Sequence, residues 1–211
     1  MRGGETKMKY EKEISELLIS NAIKLIAEGG FEKATTKELT HCSGDLPGFK
    51  MNEIYIYRIF GSKENLYAAA FATLDKELFD AFKAAAISVG GFTHTSREKI
   101  YEFLAMAWSF IVGNEVRCRC YIRYLYSIYF KDQSLENHNR LFKEIIAQIS
   151  TLFKDEADVG SIMHSVFVSI FDFAIRVFNN TLEDSEENRP HIYNVIYCMM
   201  ATYFKDPVAV P

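Results

Sequence analysis

The chain has 211 residues, 49% of them apolar and 25% charged, with a net charge of −4. These proportions fit one large or two small globular domains and exclude a disordered chain, a collagen-like repeat and a disulfide-stapled miniprotein. Four prolines and eleven glycines leave few turns, which argues against a many-stranded β sandwich. Aromatic residues make up 14%, as 17 Phe, 12 Tyr and one Trp, more flat bulk than a small core needs, so an aromatic-lined cavity is expected.

The longest uncharged stretches, 159–171 and 191–204, fall short of the roughly 20 apolar residues of a spanning helix, so no membrane is expected. The first ten residues are charged and lack the apolar core of a secretory signal. Cys42, Cys118, Cys120 and Cys198 are scattered and form no disulfide framework. The expectation is a reduced, cytoplasmic protein. Residues 1–68 carry ten basic and ten acidic side chains, so any nucleic-acid contact must come from a local patch.

The periodicity is helical throughout and predicts an all-α fold of about nine helices. Ile14, Leu17, Leu18, Ala22 and Leu25 form a first stripe that stops at Gly29-Gly30. Thr35 with Glu38 has capping-box spacing for a short second helix, which must end before the breakers at 43–48. A third short run covers 52–59. Ser62 then caps a long helix from Lys63 to about Ser88, with Leu66, Ala70, Phe71, Leu74, Leu78 and Phe82 inward. After Gly90-Gly91, Thr95 with Glu98 caps a fifth helix bearing Ile100, Phe103, Leu104, Ala107, Trp108 and Ile111 on one face. A tyrosine-dense helix follows over 115–130. Asp132 to Ser134 caps the next, with Leu141, Phe142, Ile145, Ile149, Leu152 and Phe153 inward. The last two helices, Val159 to Phe178 and the one opened by Pro190, are the most regular.

Three helices of about twenty, eight and eight residues followed by a long one suggest a helix-turn-helix head. The run Ile56-Tyr57-Arg58-Ile59-Phe60-Gly61-Ser62-Lys63-Glu64-Asn65-Leu66 resembles the signature of the TetR family of bacterial transcriptional regulators. Ala22, Gly29-Gly30-Phe31, Ala34-Thr35-Thr36 and Leu39 match the same family's first two helices. The resemblance covers residues 10–75 and implies a DNA-binding domain over 1–68 and a helical ligand-binding and dimerisation domain over 69–211. One departure is the eighteen positions from Leu39 to Tyr57, longer than the family's usual spacing, with the surplus at 44–50. Another is Tyr55, where the family usually has a small residue.

The chemistry of these positions is consistent with DNA contact. Thr36 and Lys37 open the second helix, while Tyr57, Arg58 and Lys63 surround the third and the start of the fourth, where hydroxyls and cations can hold phosphates. Lys50 lies in the longer loop and supplies a further contact. Asn52, Glu53 and Tyr55, as exposed early residues of the third helix, would read bases, Asn suiting adenine and Glu cytosine. By the resemblance, Tyr57 and Lys63 hold phosphates while Ile56 and Phe60 are core; by spacing alone, Tyr57 is equally a core residue.

A family member would also carry a ligand cavity among its middle helices. Phe103, Trp108, Tyr121, Tyr124, Phe167 and Phe171 are its candidate walls, with Arg123 and His164 as polar partners, and the same rings also fit plain core. The effector would be small and largely apolar or aromatic. Val166, Ile170, Phe171, Ala174 and Phe178, with Ile192, Val195, Ile196, Met199 and Tyr203, form two stripes that would pair with their copies in a homodimer. Such a dimer matches a palindromic double-stranded operator. Cys118 and Cys120 point about 200° apart on a helix, so one is expected to be buried, and no metal or other cofactor is expected. Neither a phosphate loop nor a nucleophile elbow occurs, so no enzyme is expected. The alternative is a helical ligand-binding module that has lost operator recognition.

Overall fold

A computed structural model of the chain describes residues 2–41, 51–91 and 96–205, with side chains from Tyr10 onward. Cys42, the loop at 44–50 with Lys50, and the expected cap Thr95 lie outside the described residues. Within them the chain forms nine α-helices: α1 Arg2–Lys33, α2 Thr36–His41, α3 Ile54–Phe60, α4 Lys63–Ser88, α5 Arg97–Gly113, α6 Glu115–Leu125, α7 Asp132–Ile149, α8 Val159–Phe178 and α9 Asn188–Ala201. The one extended pairing among the described residues is a single antiparallel bridge between Phe153 and Phe204. The all-α expectation holds.

Two compact units divide the chain. The first comprises Met1–Lys76 and Val116–Glu136, the second Glu77–Glu115 and Asn137–Pro211. The tyrosine-dense α6 therefore belongs to the same unit as the three N-terminal helices, and the divisions fall inside α4 and α7.

In the first unit α2 and α3 both pack on α1. Leu18, Ala22 and Ile26 supply the buried face of α1, and Leu39 and Ile56 meet the core from α2 and α3. Asn21, buried in α1, donates through Nδ2 to the Leu39 carbonyl at 2.7 Å, which satisfies a carbonyl at the end of the short α2. The punctuation follows the sequence. Gly30 leaves helical geometry at φ 73°, where a side chain would be strained. Thr35 Oγ1 accepts the Glu38 N–H at 3.2 Å, and Ser62 Oγ accepts the Asn65 N–H at 3.1 Å. Phe71 of α4 stacks on Tyr121 and Tyr124 of α6 at 5.1 and 4.5 Å between ring centres. Such pairs add about 0.5–1.5 kcal/mol beyond the area they bury.

Helix α6 ends at Leu125, five residues earlier than its tyrosine pattern predicts. The Ser127 N–H and hydroxyl both bond the Tyr124 carbonyl, and the Tyr124 hydroxyl donates to the Tyr129 carbonyl, so the chain turns there instead of propagating. Cys118 and Cys120 are both buried, where only one was expected, because α6 is covered on two faces.

In the second unit α5, α8 and α9 pack on one another. Asp158 caps α8 by accepting from the Ser161 N–H at 3.1 Å and its hydroxyl at 2.7 Å. At 20 residues and a mean hydropathy of 1.5, α8 is long and apolar enough to cross a membrane by composition. It packs on α5 and α9, with Val166, Phe167, Ile170, Phe171 and Ala174 buried.

Candidate nucleic-acid interface and ligand cavity

Around α2 and α3, Lys37, Asn52, Glu53, Tyr57 and Arg58 are exposed, while Thr36, Tyr55 and Lys63 are half-buried. Tyr57 has 54% of its surface in solvent, which removes the core reading that its spacing allowed. Ile56 is fully buried, whereas Phe60 is only half-buried.

Asn52 and Glu53 stand before α3 rather than in its first turn. The Asn52 Oδ1 accepts the Ile54 N–H at 3.0 Å, an Asx turn that starts the helix. That bond uses one of the two acceptor positions of the amide oxygen. The Arg58 guanidinium lies 4.4 Å over the Tyr55 ring, and its Nη2 is 3.3 Å from Glu11 of α1. Bulky Tyr55 thus serves as a platform that fixes the arginine. The pair with Glu11 is solvent-exposed and worth about 0–1 kcal/mol. Lys63, in the first turn of α4, holds its ammonium 5.7 Å from the Tyr67 ring.

The residues expected to line a ligand cavity do not come together as one set. Three belong to the first unit. Tyr121 donates its hydroxyl to Asp75 at 2.9 Å, with both groups buried. Burial first, and then the carboxylate beside it, push the Tyr121 hydroxyl well above its ordinary pKa. Tyr124 is tied to Tyr129 and Ser134. Arg123 donates from Nη1 to the Ile26 carbonyl at 3.2 Å, a cation at the end of α1, where the helix dipole favours it.

The other five lie in the second unit. Trp108 is fully buried and donates from Nε1 to Asp184 at 2.8 Å, while Arg189 grips the same carboxylate at 2.8 and 2.9 Å. That guanidinium, and secondarily the indole, hold the Asp184 carboxyl below its ordinary pKa. Phe171 is buried against Phe167 at 4.8 Å. His164, read from its apolar stripe as a pocket group, is exposed, because the stripe turns away from it toward α5 and α9.

Phe103 and Phe167 do line a cavity. Its walls come from α4 (Phe79, Phe82, Lys83, Ala86), α5 (Phe103, Leu104, Ala107), α7 (Phe142, Ile145, Gln148, Ile149) and α8 (Met163, Val166, Phe167, Ile170), around about 680 Å³ counting its open mouth. A second chamber of about 520 Å³ shares Phe103, Leu104, Ile145, Ile149, Met163 and Val166, and adds Ile100, Leu152, Phe153, Met200 and Phe204. Phe79, Phe82, Phe142 and Met163 were missed as wall residues because their stripes are the same ones that mark plain core.

Of the residues expected at a dimer interface, Val166, Ile170, Phe171, Ala174, Ile192 and Ile196 are buried within the single chain, and Phe178 and Met199 half-buried. Val195 and Tyr203 are exposed at 47% and 44%. Val195 shares the outer face of α9 with His191, Asn194 and Cys198, and Tyr203 follows the helix's end; Arg97 of α5 reaches this face and donates to Asn194 Oδ1 at 3.0 Å. Burial pushes the Cys118 and Cys120 thiols up to about 12. Among the described residues no group of His, Cys, Asp and Glu is placed to hold a metal ion.

No protein-family model matches the chain, and no curated protein is significantly similar to it. Solved structures are. A TetR-family transcription regulator from Marinobacter aquaeolei superposes with a TM-score of 0.70 at 14% identity, over 91% of this chain and 97% of its own. The fatty acid degradation regulator FadR from Bacillus halodurans gives 0.60 at 14% identity, over 86% and 93%. The transcriptional regulator FadR from Bacillus subtilis, solved in complex with stearoyl-CoA, gives 0.57 at 15% identity, over 86% and 96%. The chain has the fold of these regulators, the first of them of the TetR family.

Proposed function

We propose that the protein is a ligand-responsive transcriptional regulator, without enzymatic activity, that binds a palindromic operator in the cytoplasm as a homodimer and represses from it. The observation that carries this reading is the outward set Lys37, Asn52, Glu53, Tyr57 and Arg58 around a short α2 and α3. Helix-turn-helix modules present polar side chains of this kind to the major groove and its flanking phosphates. The domain division at 68 and 69 belongs to the same reading.

Helix α4 supports the regulatory half of the proposal. It carries Lys63 in its first turn and Phe79, Phe82, Lys83 and Ala86 in the cavity wall. A ligand that fits one conformation of α4 better than another shifts the population of DNA-competent molecules by that difference in affinity. The FadR structure from Bacillus subtilis holds stearoyl-CoA, which supports an apolar effector for this fold. For the dimer, the outer face of α9 around exposed Val195 is the surface offered to a second copy.

The charge balance of residues 1–68 and the long Leu39–Tyr57 separation favour a second reading, a ligand-binding module without operator recognition. Binding to the DNA upstream of the protein's own gene, measured against salt, separates the two. Specific, salt-sensitive binding with a competitor-resistant site supports the regulator; weak binding indifferent to sequence supports the module.

A further inference from the structure

Three helices give the two chambers one direction. Along α5 the wall passes from Ile100, in the second chamber only, through the shared Phe103 and Leu104 to Ala107, in the first only. Along α8 it passes from the shared Met163 and Val166 to Phe167 and Ile170 of the first. Along α7 and the turn after it, the wall passes from Leu152 of the second through Ile149 and Ile145 to Phe142 of the first. Helical rise makes these paths about 10–15 Å long. The space is therefore a channel rather than a round pocket, and a compact aromatic molecule fills only one of its halves.

The ends differ chemically. Every residue lining the second chamber is apolar, and its Phe153 and Phe204 rings meet at 5.0 Å between centres. The first chamber carries Lys83, whose ammonium is 3.3 Å from Glu144 Oε2. Glu144 also pairs with Arg140 at 3.6 Å, so two cations share one carboxylate next to the wall residue Lys83. Both pairs are partly solvent-exposed, and such pairs give way readily.

Resting on the reading of this channel as the effector site, we infer that it takes a medium-length linear acyl chain with an anionic head. The chain lies along α5 with its methyl end against Phe153 and Phe204. The head takes Lys83 from Glu144, which keeps Arg140. Met163 and Met200 supply walls that adapt to a flexible chain. A carboxylate of a free fatty acid and the phosphates of an acyl thioester both meet this requirement.

The test is direct binding to the full-length protein, by calorimetry and thermal shift, with laurate, lauroyl-CoA, dodecanol and naphthalene as probes. Laurate or lauroyl-CoA is expected to bind and raise the melting temperature, and the tighter of the two identifies the head. Lys83→Met is expected to weaken the anionic probe about three- to fivefold, the scale of a half-exposed charged contact, while leaving dodecanol unchanged. Phe204→Ala is expected to shift the preferred chain toward palmitate. Should Phe204→Ala unfold the chain, Ala107→Phe, which narrows the first chamber, is expected to weaken laurate and dodecanol alike. Naphthalene binding more tightly than either acyl probe would overturn the acyl inference and leave the effector site standing. No binding by any probe would overturn both. Equal loss of dodecanol and laurate in Lys83→Met would overturn the head assignment.

Discussion

Tyr67 donates its hydroxyl to the backbone carbonyl of Ala34 at 2.5 Å, and both residues are fully buried. The bond ties α4 to the link between α1 and α2, thirty-three positions away in sequence. It also explains why Ala34 tolerates no solvent: its carbonyl, between two helices, has no ladder partner of its own and finds one in a side chain. Phe31 and Tyr129 close around the same ring at 5.2 and 5.5 Å.

Replacing Tyr67 by Phe keeps the rings and orphans that carbonyl. The expected cost is about 1–3 kcal/mol of stability, the scale for a buried acceptor left unpaired. Urea unfolding checks it. An unchanged midpoint would mean that water takes the place of the hydroxyl.

Lys63→Ala is expected to weaken binding to all DNA sequences and to reduce the salt dependence by about one unit of slope. Asn52→Ala should instead change preference at one base pair. Deleting 44–48 asks whether the longer loop takes part; unchanged affinity would make the insertion a bystander. Quantitative gel shifts over a salt series read all three.

Asp184 carries a pH dependence whose sign is defined. Its carboxyl is held low by Arg189 and Trp108, so it stabilises the fold fully above the ordinary carboxylate pKa of 3.8 and loses that contribution as pH falls through the lower folded value. Asp184→Asn should therefore lower stability at neutral pH and narrow the gap from the parent in acid. Trp108, the single tryptophan, reports the transition by its fluorescence. A gap of equal size at neutral and acid pH would show that packing, and not charge, is what Asp184 supplies.

For the dimer, substitutions belong on the outer face of α9. Ile196 and Phe171 are buried in one chain, so Asp at either tests folding before it tests assembly. Val195→Asp and Tyr203→Asp are expected to give a folded monomer where the parent is dimeric at micromolar concentration, read by solution mass. In a Cys42→Ser background, Cys198 on that face should react with a maleimide more slowly as protein concentration rises, while buried Cys118 and Cys120 stay slow throughout. A parent that is monomeric at micromolar concentration ends the proposal.

Much of the fold was legible because its punctuation is chemical. Ser62 and Asp158 cap the helices they precede, Gly30 breaks the first, and α4 and α8 run between the expected residues. The end of α6 was not legible, since Ser127 competes for the Tyr124 carbonyl and nothing in the apolar period records that. The outward residues of α2 and α3 were legible from hydroxyls and cations near helix starts. The channel was not. Phe82 and Phe142 have the spacing of core residues, and whether a ring faces a neighbour or a gap depends on side chains from other helices. Trp108 illustrates the converse: rarity made it a candidate wall, while its indole N–H had a partner seventy-six positions away.

The Tyr197 hydroxyl is buried with no hydrogen-bond partner among the described residues, in a ring lying 5.4 Å from the Arg97 guanidinium. A buried phenol oxygen that lacks a partner lowers stability relative to the same ring without its oxygen. Tyr197→Phe is therefore expected to melt higher than the parent, the reverse of most core substitutions. The molecule holds a reserve of stability that a single atom suppresses, and a more robust variant lies one substitution away.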